Sequence, residues 1–412
     1  MNEFPLPMLP GRRLRAAAPV ALLCLACDAD APAPGNPNTR TWITEPEYRF
    51  TSGGETGVLF SHVYLRADPN RDRVFVIDRI DRQVSAWTPD GSLIFVVGRP
   101  GDGPGEFMLP TRLHFQDDGG FYVREGYGSR FTYYSADGVL TRTEPGPRAT
   151  ASYQGLSVSV EATAGAGAYF VVPQTGLASA TDSLVERYPV MRARRSGGGR
   201  WLPPEPVFWM NNRNRWHAVP VKSRTAFFGQ LFGDYDLSGF RPGVAVVARR
   251  TQGPGVVELT EMNPDGDTIW HRHLQFEPIR LTPERTWREA EKLELESTAF
   301  PGVSGLELRK AWEETLYRPA HLPGAINLAL TASGEVWLST FEELDTLRVF
   351  YALRRGDVAR APERVLVPKW LSVQDVTDTH VWGILEDDLG LPHVVGRRLM
   401  PIGESVVEVP RR

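Results

Sequence analysis

Two adjacent stretches of this chain follow the same plan, and that repetition restricts the fold more than any other feature. Val63–Gly91 reads as a short strand, an Asp-Pro-Asn-Arg-Asp turn, the strand Val74–Asp78, a break, the strand Val84–Thr88 and a Pro-Asp-Gly turn. Gly98–Gly138 follows with a Gly-rich loop, the strand Leu113–Gln116, the turn Asp117–Gly120, the strand Phe121–Arg124, a Gly-Tyr-Gly-Ser break, the strand Phe131–Ser135 and another Asp-Gly turn. Aromatic and β-branched runs punctuated by Asp-Gly predict antiparallel hairpins in series. A period of about 40–50 residues suits a four-stranded sheet stacked on its like. Such a sheet cannot shield both of its apolar faces alone, so the repeats are expected to circle a common axis.

The rest of the chain extends the pattern less regularly. A third unit is read in Leu156–Ala162, Tyr169–Val172, Tyr188–Arg195 and Arg200–Trp209, with a long polar connection at Pro173–Glu186. A fourth has Val244–Arg249, Val256–Met262 and Thr268–Gln275, its first strand lying somewhere within Arg224–Phe240. A fifth takes Ala325–Leu330, Val336–Ser339, Leu347–Arg354 and Arg364–Pro368, and a sixth Leu371–Val376, His380–Leu385 and His393–Leu399. The last lacks an outer strand. Trp42–Phe50, a lone strand ahead of the first repeat, is expected to supply it and so leave no open edge, with Ser405–Val409 as the alternative. Second strands such as Val244–Ala248 lack a polar alternate, as sheets covered on both faces should.

One passage is helical. Thr282-Pro283-Glu284 offers a cap, a proline at the first helical position and an acid near the positive end. Trp287, Ala290 and Leu293 then recur at helical spacing. Ser304-Gly305-Leu306-Glu307 is a capping box before Leu308, Ala311, Trp312 and Leu316 on one face.

The stretch GDGPGEFMLPTRLHFQDDGGFYVREGYGSRFTYYSADG resembles an NHL repeat: Gly-rich loop, Gly-Glu-Phe, Pro, strand, Asp-Gly, Tyr-Val, then an Arg before the next strand. VYLRADPNRDRVFVIDRIDRQVSAWTPDG is similar, with Asp78 at the strand end where the second copy has Glu125. The motifs cover the first two units only. The resemblance to NHL-type propeller lipoproteins implies an all-β, six-bladed β-propeller with a two-helix insertion between blades 4 and 5, in a family mostly without assigned activity. It also brings in lactonases and lyases, which place calcium or zinc at the channel.

The N-terminus reads as an address. Arg12, Arg13 and Arg15 precede an apolar run, Ala16–Ala26, and Cys27 follows. A basic region, a short apolar region and a small residue describe a secretory signal rather than a membrane span. Cys27 makes it resemble a lipoprotein signal, although Cys24 stands where Leu is usual. The expected division is a signal over 1–27, a Pro/Ala/Asn-rich tether over 28–41 and one propeller over 42–412. Both cysteines lie before residue 30, so the propeller holds neither a disulfide nor a cysteine metal site.

A net charge of -4 gives no field to gather nucleic acid. In a propeller, the links from one blade to the next and those between second and third strands emerge on one face. That end would collect the Gly98–Phe107 loop, the Pro173–Glu186 loop and the helical insertion, beside a channel mouth with His62, Arg112, Arg224, His321, Asn327 and Asp78 as candidates. The Gly-rich loop has the look of an anion cradle, but no helix follows it, and tight turns explain its glycines. His271-x-His273 puts two imidazoles on one face of an outer strand, a weak zinc signal. No nucleophile–base order stands out. The expectation is a monomeric binding or scaffold module, exported and lipid-anchored, for an unknown small molecule or protein. It has no catalytic residue, metal or cofactor assigned, and arginine at the inner strands favours an anionic ligand. The alternative is a metal-dependent propeller lactonase, hydrolase or lyase.

Overall fold

The computed structural model describes residues 40–402 apart from 52–59, 61–62, 148–151, 154–155, 166–167, 174–185, 223, 251–252, 292–302, 332 and 355–360. The signal, Cys27, His62, most of the Pro173–Glu186 loop and the alternative strand Ser405–Val409 lie outside the described residues.

The chain is all-β in a propeller arrangement, with two helices among the described residues. The first repeat is a four-stranded meander of Val63–Ala67, Val74–Asp78, Gln83–Trp87 and Leu93–Val97, and the second one of Pro110–Phe115, Phe121–Glu125, Arg130–Tyr134 and Leu140–Pro145. The third sheet holds Leu156–Gly165, Ala168–Pro173, Arg187–Ala193 and Glu205–Asn211, with Ser152–Tyr153 added at its inner edge. The fourth holds Leu237–Arg241, Val244–Arg249, Val256–Met262 and Thr268–Gln275.

The expected fifth and sixth units are not separate sheets. Asn327–Leu330, Val336–Leu344, Leu347–Leu353 and Glu363–Pro368 continue through Thr41–Thr51 into Pro392–Ile402, His380–Glu386 and Ser372–Val376, making one eight-stranded sheet. The N-terminal strand does close the last meander, pairing antiparallel with Pro392–Ile402 along its whole length. Its first residues go further: Thr41, Trp42 and Ile43 pair in parallel with Arg364, Val365 and Leu366. An outer strand with an unmet edge recruits a neighbour's backbone, and here the long closing strand is within reach.

Position in the meander sets burial. The second strands Val74–Asp78 and Phe121–Glu125 are buried at every residue, whereas the fourth strand Leu93–Val97 alternates with solvent. An apolar cluster fills each gap between successive meanders. Phe75, Phe107 and Phe121 join the first to the second, and Phe131, Val160 and Tyr169 the second to the third. Phe170, Met210 and Val247 follow, then Val257, Leu328 and Leu338, then Val365, Val376 and Val395. Val63, Leu65, Trp382 and Val394 bring the last meander back to the first. Asp375 makes the same closure near the axis, where its Oδ2 accepts from the Ala67 amide at 2.9 Å.

Two insertions leave this plan at one end. Trp216–Val221 and Arg224–Gly229 form a separate hairpin between the third and fourth sheets. The first strand of the fourth sheet is therefore Leu237–Arg241, at the far end of the window expected from sequence. Helix α1 (Pro283–Glu291) and helix α2 (Gly305–Thr315) lie between the fourth sheet and Asn327. The capping box is present: Ser304 Oγ accepts from the Glu307 amide, and the Glu307 carboxylate accepts from the Ser304 amide. The apolar face of α2, Leu308 and Trp312, packs on Val219, Val221 and Phe232. The helix thus rests mainly on the inserted hairpin rather than on the blades.

Candidate functional site: the arginine wall of the channel

Inner strands reveal the channel through their exposure. Asn327–Leu330 alternates exposed, buried, exposed, buried, although packed sheets flank it on both sides. Leu328 and Leu330 press so closely on Gly239 of the neighbouring inner strand that a Cβ there would lie 2.4 Å from Leu328. Asn327 and Ala329, on the other face, meet an axial opening. Ser238, Ser372 and Gln374 occupy corresponding half-buried positions on their own inner strands. This side of the axis is neutral and small.

The side built by the first three sheets carries arginines. Arg66, on Val63–Ala67, alternates with three buried apolar residues and so turns toward the second sheet. Its Nε approaches Asp375 Oδ2 at 3.4 Å. That carboxylate also accepts from Ala67 and Val376 amides, each at 2.9 Å. Arg112 and His114 share one face of Pro110–Phe115, opposite Arg124 and Tyr122 of the next strand. Arg112 Nη1 lies 3.5 Å from Glu161 Oε2 of the third sheet, with 30% of its side chain exposed. Protein surrounds it otherwise. Burial, with Arg124 beside it, pulls its pKa down to about 10, partly opposed by Glu161, and it remains a cation at neutral pH.

Arg124 and Glu125 are the charged residues in an otherwise uncharged buried strand. Arg124 donates from Nε to Thr111 Oγ1 at 3.2 Å and from Nη1 to the Val160 carbonyl, stapling the second sheet to the third. His114 stacks on Tyr122 at 5.0 Å and is 7% exposed. Its Nε2 has no hydrogen-bond partner. Burial, then Arg66, Arg112 and Arg124, hold its pKa well below the usual histidine value, so the ring is neutral. Nearer the mouth, Arg79 donates from Nη1 to the Tyr64 hydroxyl at 3.3 Å.

The sequence candidates scatter. Arg112 and Asn327 stand on inner strands. Asn327 Oδ1 accepts from the adjacent Leu328 amide. His321 sits instead in the neck of the helical insertion, bridged to Arg280. Arg224 begins a strand of the separate hairpin. Asp78 is buried and turns the chain by accepting from the Ile80 and Asp81 amides. The Gly-rich loop folds on itself: Glu106 Oε2 takes the Gly103 amide at 2.8 Å and Oε1 takes Arg99 Nε at 2.9 Å, so the chain's own carboxylate fills the cradle. Arg66, Arg124 and His114 were missed. An arginine inside a wholly buried second strand was the available signal for Arg124.

Elsewhere, a cavity of about 270 Å³ on the fourth sheet is lined by Arg249, Glu258 and His271. His271 Nε2 lies 2.8 Å from Glu258 Oε1. A second cavity, of about 230 Å³, lies between α1 and α2 beside Trp287 and Trp312. Among the described residues no group of three or more His, Cys, Asp and Glu side chains is placed to hold a metal ion. No helix among them is long and apolar enough to cross a membrane.

No protein-family description matches the chain, and no curated protein matches it. Solved structures resemble it distantly. A putative exported protein from Bacteroides fragilis shares 9% identity, covering 87% of this chain and 96% of that one with a TM-score of 0.43. A DUF4221 member from Bacteroides vulgatus shares 8% over 88% and 99%, with a TM-score of 0.44. A streptogramin B lyase shares 10% over 87% and 98%, with a TM-score of 0.40. Likeness this remote assigns no activity, and the propeller arrangement rests on the chain's own sheets and their closure.

Proposed function

We propose that this chain is an exported, lipid-anchored, six-bladed propeller that binds a small molecule or protein partner at its loop-and-helix-covered end. The eight-stranded sheet counts as two blades, because each half is a four-stranded meander with its own inner strand and its own apolar seam to the next. The observation that carries the reading is the polarity of the closing strand. Thr41 pairs with Arg364 and Ile402 at one end of the ring, and Thr51 pairs with His393 at the other. The second end is the one where both insertions and the Gly-rich loop emerge. A tether ahead of Thr41, lipidated at Cys27, therefore leaves from the face opposite the channel mouth and holds that mouth away from the membrane. A rigid scaffold with its elaborations on the outward face suits binding. The donor set of the wall, guanidinium and imidazole with each nearby carboxylate already facing an arginine, supports recognition over hydrolytic chemistry.

Cell labelling with radioactive palmitate tests the anchor. The full chain should take up label and sediment with membranes, and Cys27→Ala should do neither. A Cys27→Ala chain that labels as well as the parent overturns the anchored reading.

A further inference from the structure

We infer that the cavity in the outer part of the seam between the third and fourth sheets, walled by Arg249, Glu258 and His271, binds a neutral sugar ring. The cavity lies on the flank of the ring of blades, so the inference goes beyond the reading of the mouth and stands apart from it.

Strand alternation places the cavity. On the last three strands of the fourth sheet, Val246, Ala248, Val257, Leu259 and Leu274 pack toward the fifth meander. The alternate side chains turn to the third sheet, where Ala245, Val247 and Met262 meet Phe170 and Met210. Further along that face the apolar character stops. In the preceding seam the second and third strands present Tyr169, Val171, Met191 and Ala193, all buried. Here the same two strands present Arg249, Glu258 and Thr260, none of them buried. Polar side chains in place of apolar filler line a cavity of about 270 Å³, together with His271, Val247 and Met262. The two sheets are tied on either side of it. At one end Gly266 lies against the Val207 carbonyl and Asp265 pairs with Arg192. At the other, Asp236 Oδ2 accepts from the Asn211 amide at 2.8 Å. The Arg249 and His271 side chains are 45% and 39% exposed, so the cavity is open to solvent.

The polar end defines the chemistry. Arg249 Nη1 lies 3.8 Å from Glu258 Oε1, and Arg249 Nε lies 3.8 Å from Asp236 Oδ2. Both gaps exceed a hydrogen bond, and the Arg249 side chain makes none among the described residues. Glu258 Oε1 also faces His271 Nε2 at 2.8 Å. The guanidinium thus faces two carboxylates, and Glu258 faces a guanidinium and an imidazole, so no lone charge calls for an ion. What the geometry lacks is a group that accepts from the guanidinium and donates to the carboxylate at once. A hydroxyl does both, and two adjacent hydroxyls match the planar fork of an arginine. A separation of 3.8 Å between polar groups is one that an inserted oxygen bridges.

Size and the apolar end narrow the class. A volume of about 270 Å³ falls just below the range of roughly 300–1,000 Å³ for drug-sized sites, which suits one ring rather than a chain. Val247 and Met262 offer apolar surface to the carbon-bound hydrogens of such a ring, while Arg249, Glu258 and Thr260 meet its hydroxyls. A wholly apolar ligand would desolvate Arg249 and Glu258 without giving either a partner. His273 pairs across the ladder with Glu258 and stands edge-on to His271 at 4.7 Å, which braces the His271 ring.

Nuclear magnetic resonance on the full-length chain, in a detergent without a sugar head group, tests this. Glucose, galactose and mannose are the probes, with inorganic phosphate and ethylammonium as charged controls. At least one sugar should move the His271 ring signals saturably, and neither ion should. This readout uses the unsubstituted protein and does not depend on any variant folding. Arg249→Gln and Glu258→Gln should each weaken binding of that sugar by roughly tenfold or more, with Arg249→Lys falling between Arg249→Gln and the parent. Failure of all three sugars to move the His271 signals overturns the inference. So does a sugar response that Arg249→Gln leaves unchanged, or saturable binding of either ion at His271. Palmitate labelling is independent of these outcomes, so an anchored chain that ignores sugars would sink the cavity and spare the anchor.

Discussion

Trp42 and Glu363 stand 321 positions apart in sequence and share a hydrogen bond, the indole nitrogen donating to Oε2 at 2.8 Å. Glu363 is 4% exposed and also accepts from Arg354 Nε at 3.0 Å. The bond lies where the closing strand runs in parallel beside the fifth meander, so it marks the join that fuses two blades into one sheet. Trp42→Phe keeps a ring beneath Arg40 and Arg354 but leaves a buried carboxylate oxygen short of a donor. The expected loss is about 1–3 kcal/mol, read as a lower urea midpoint at constant slope. An unchanged midpoint would show that this bond contributes nothing to closure.

The Gly-rich loop opens on a glycine whose backbone and space admit no side chain. Gly98 has φ of +87°, and a Cβ there would lie 2.2 Å from the ring of Phe107, which is fully buried between the first two sheets. Gly98→Ala should destabilise the protein by about 2–4 kcal/mol through strain and displaced packing. Thermal unfolding decides it: a variant within a degree of the parent would mean that the loop gives way at no cost.

Asp236, just ahead of the fourth inner strand, is 2% exposed. Oδ2 accepts from the Asn211 amide, and Oδ1 has no partner. Burial raises its pKa from 3.8 to about 6, opposed by the Asn211 bond and Arg249. The folded state therefore holds a proton that the unfolded state releases. The stability associated with it is whole below pH 3.8 and is lost as pH rises through about 6. Asp236→Asn keeps an acceptor for Asn211 and removes the charge. It should be more stable than the parent by about 2 kcal/mol at pH 8, with the gap closing toward pH 4. A gap that is constant with pH, or of opposite sign, refutes the raised pKa.

The capping box at Ser304 holds the start of the helix that covers the inserted hairpin. Ser304→Ala removes an acceptor from the Glu307 amide and should cost about 1 kcal/mol. Hydrogen exchange should quicken in the first turn of α2 and stay unchanged in Val74–Asp78, because the two do not share a core. Equal quickening in both would show that the insertion and the blades unfold together.

Much of the architecture was legible along the chain because a meander is written locally. Asp-Gly turns, alternation and uninterrupted second strands identified the meanders, and Ser304 to Glu307 announced a helix start from four residues alone. The fourth unit was read less well, since its first strand follows a long connection, and the outer strand of the third, expected over Arg200–Trp209, lies at Glu205–Asn211. Arg224–Gly229 has the composition of a blade strand and pairs within its own hairpin instead, a choice made by the nearest available edge. The site was less legible than the fold. Arg112 was found because it begins an inner strand. Arg66 and His114 were not, since an arginine or histidine in a strand looks alike whether it faces a channel or open solvent.

By itself the sequence determined that short antiparallel sheets would form and would have to share their apolar faces, because turn chemistry and side-chain period act between residues a few positions apart. It also pointed to Trp42–Phe50 as the strand to close an edge, with Ser405–Val409 left open as the alternative. Only the tertiary structure decided that the closing strand would join two meanders into one sheet, that α2 would rest on a hairpin, and that Arg66, Arg112 and Arg124 of neighbouring sheets would gather around His114. Those outcomes depend on distances between residues tens to hundreds of positions apart. Charge and desolvation are set by such distances, and no local pattern encodes them.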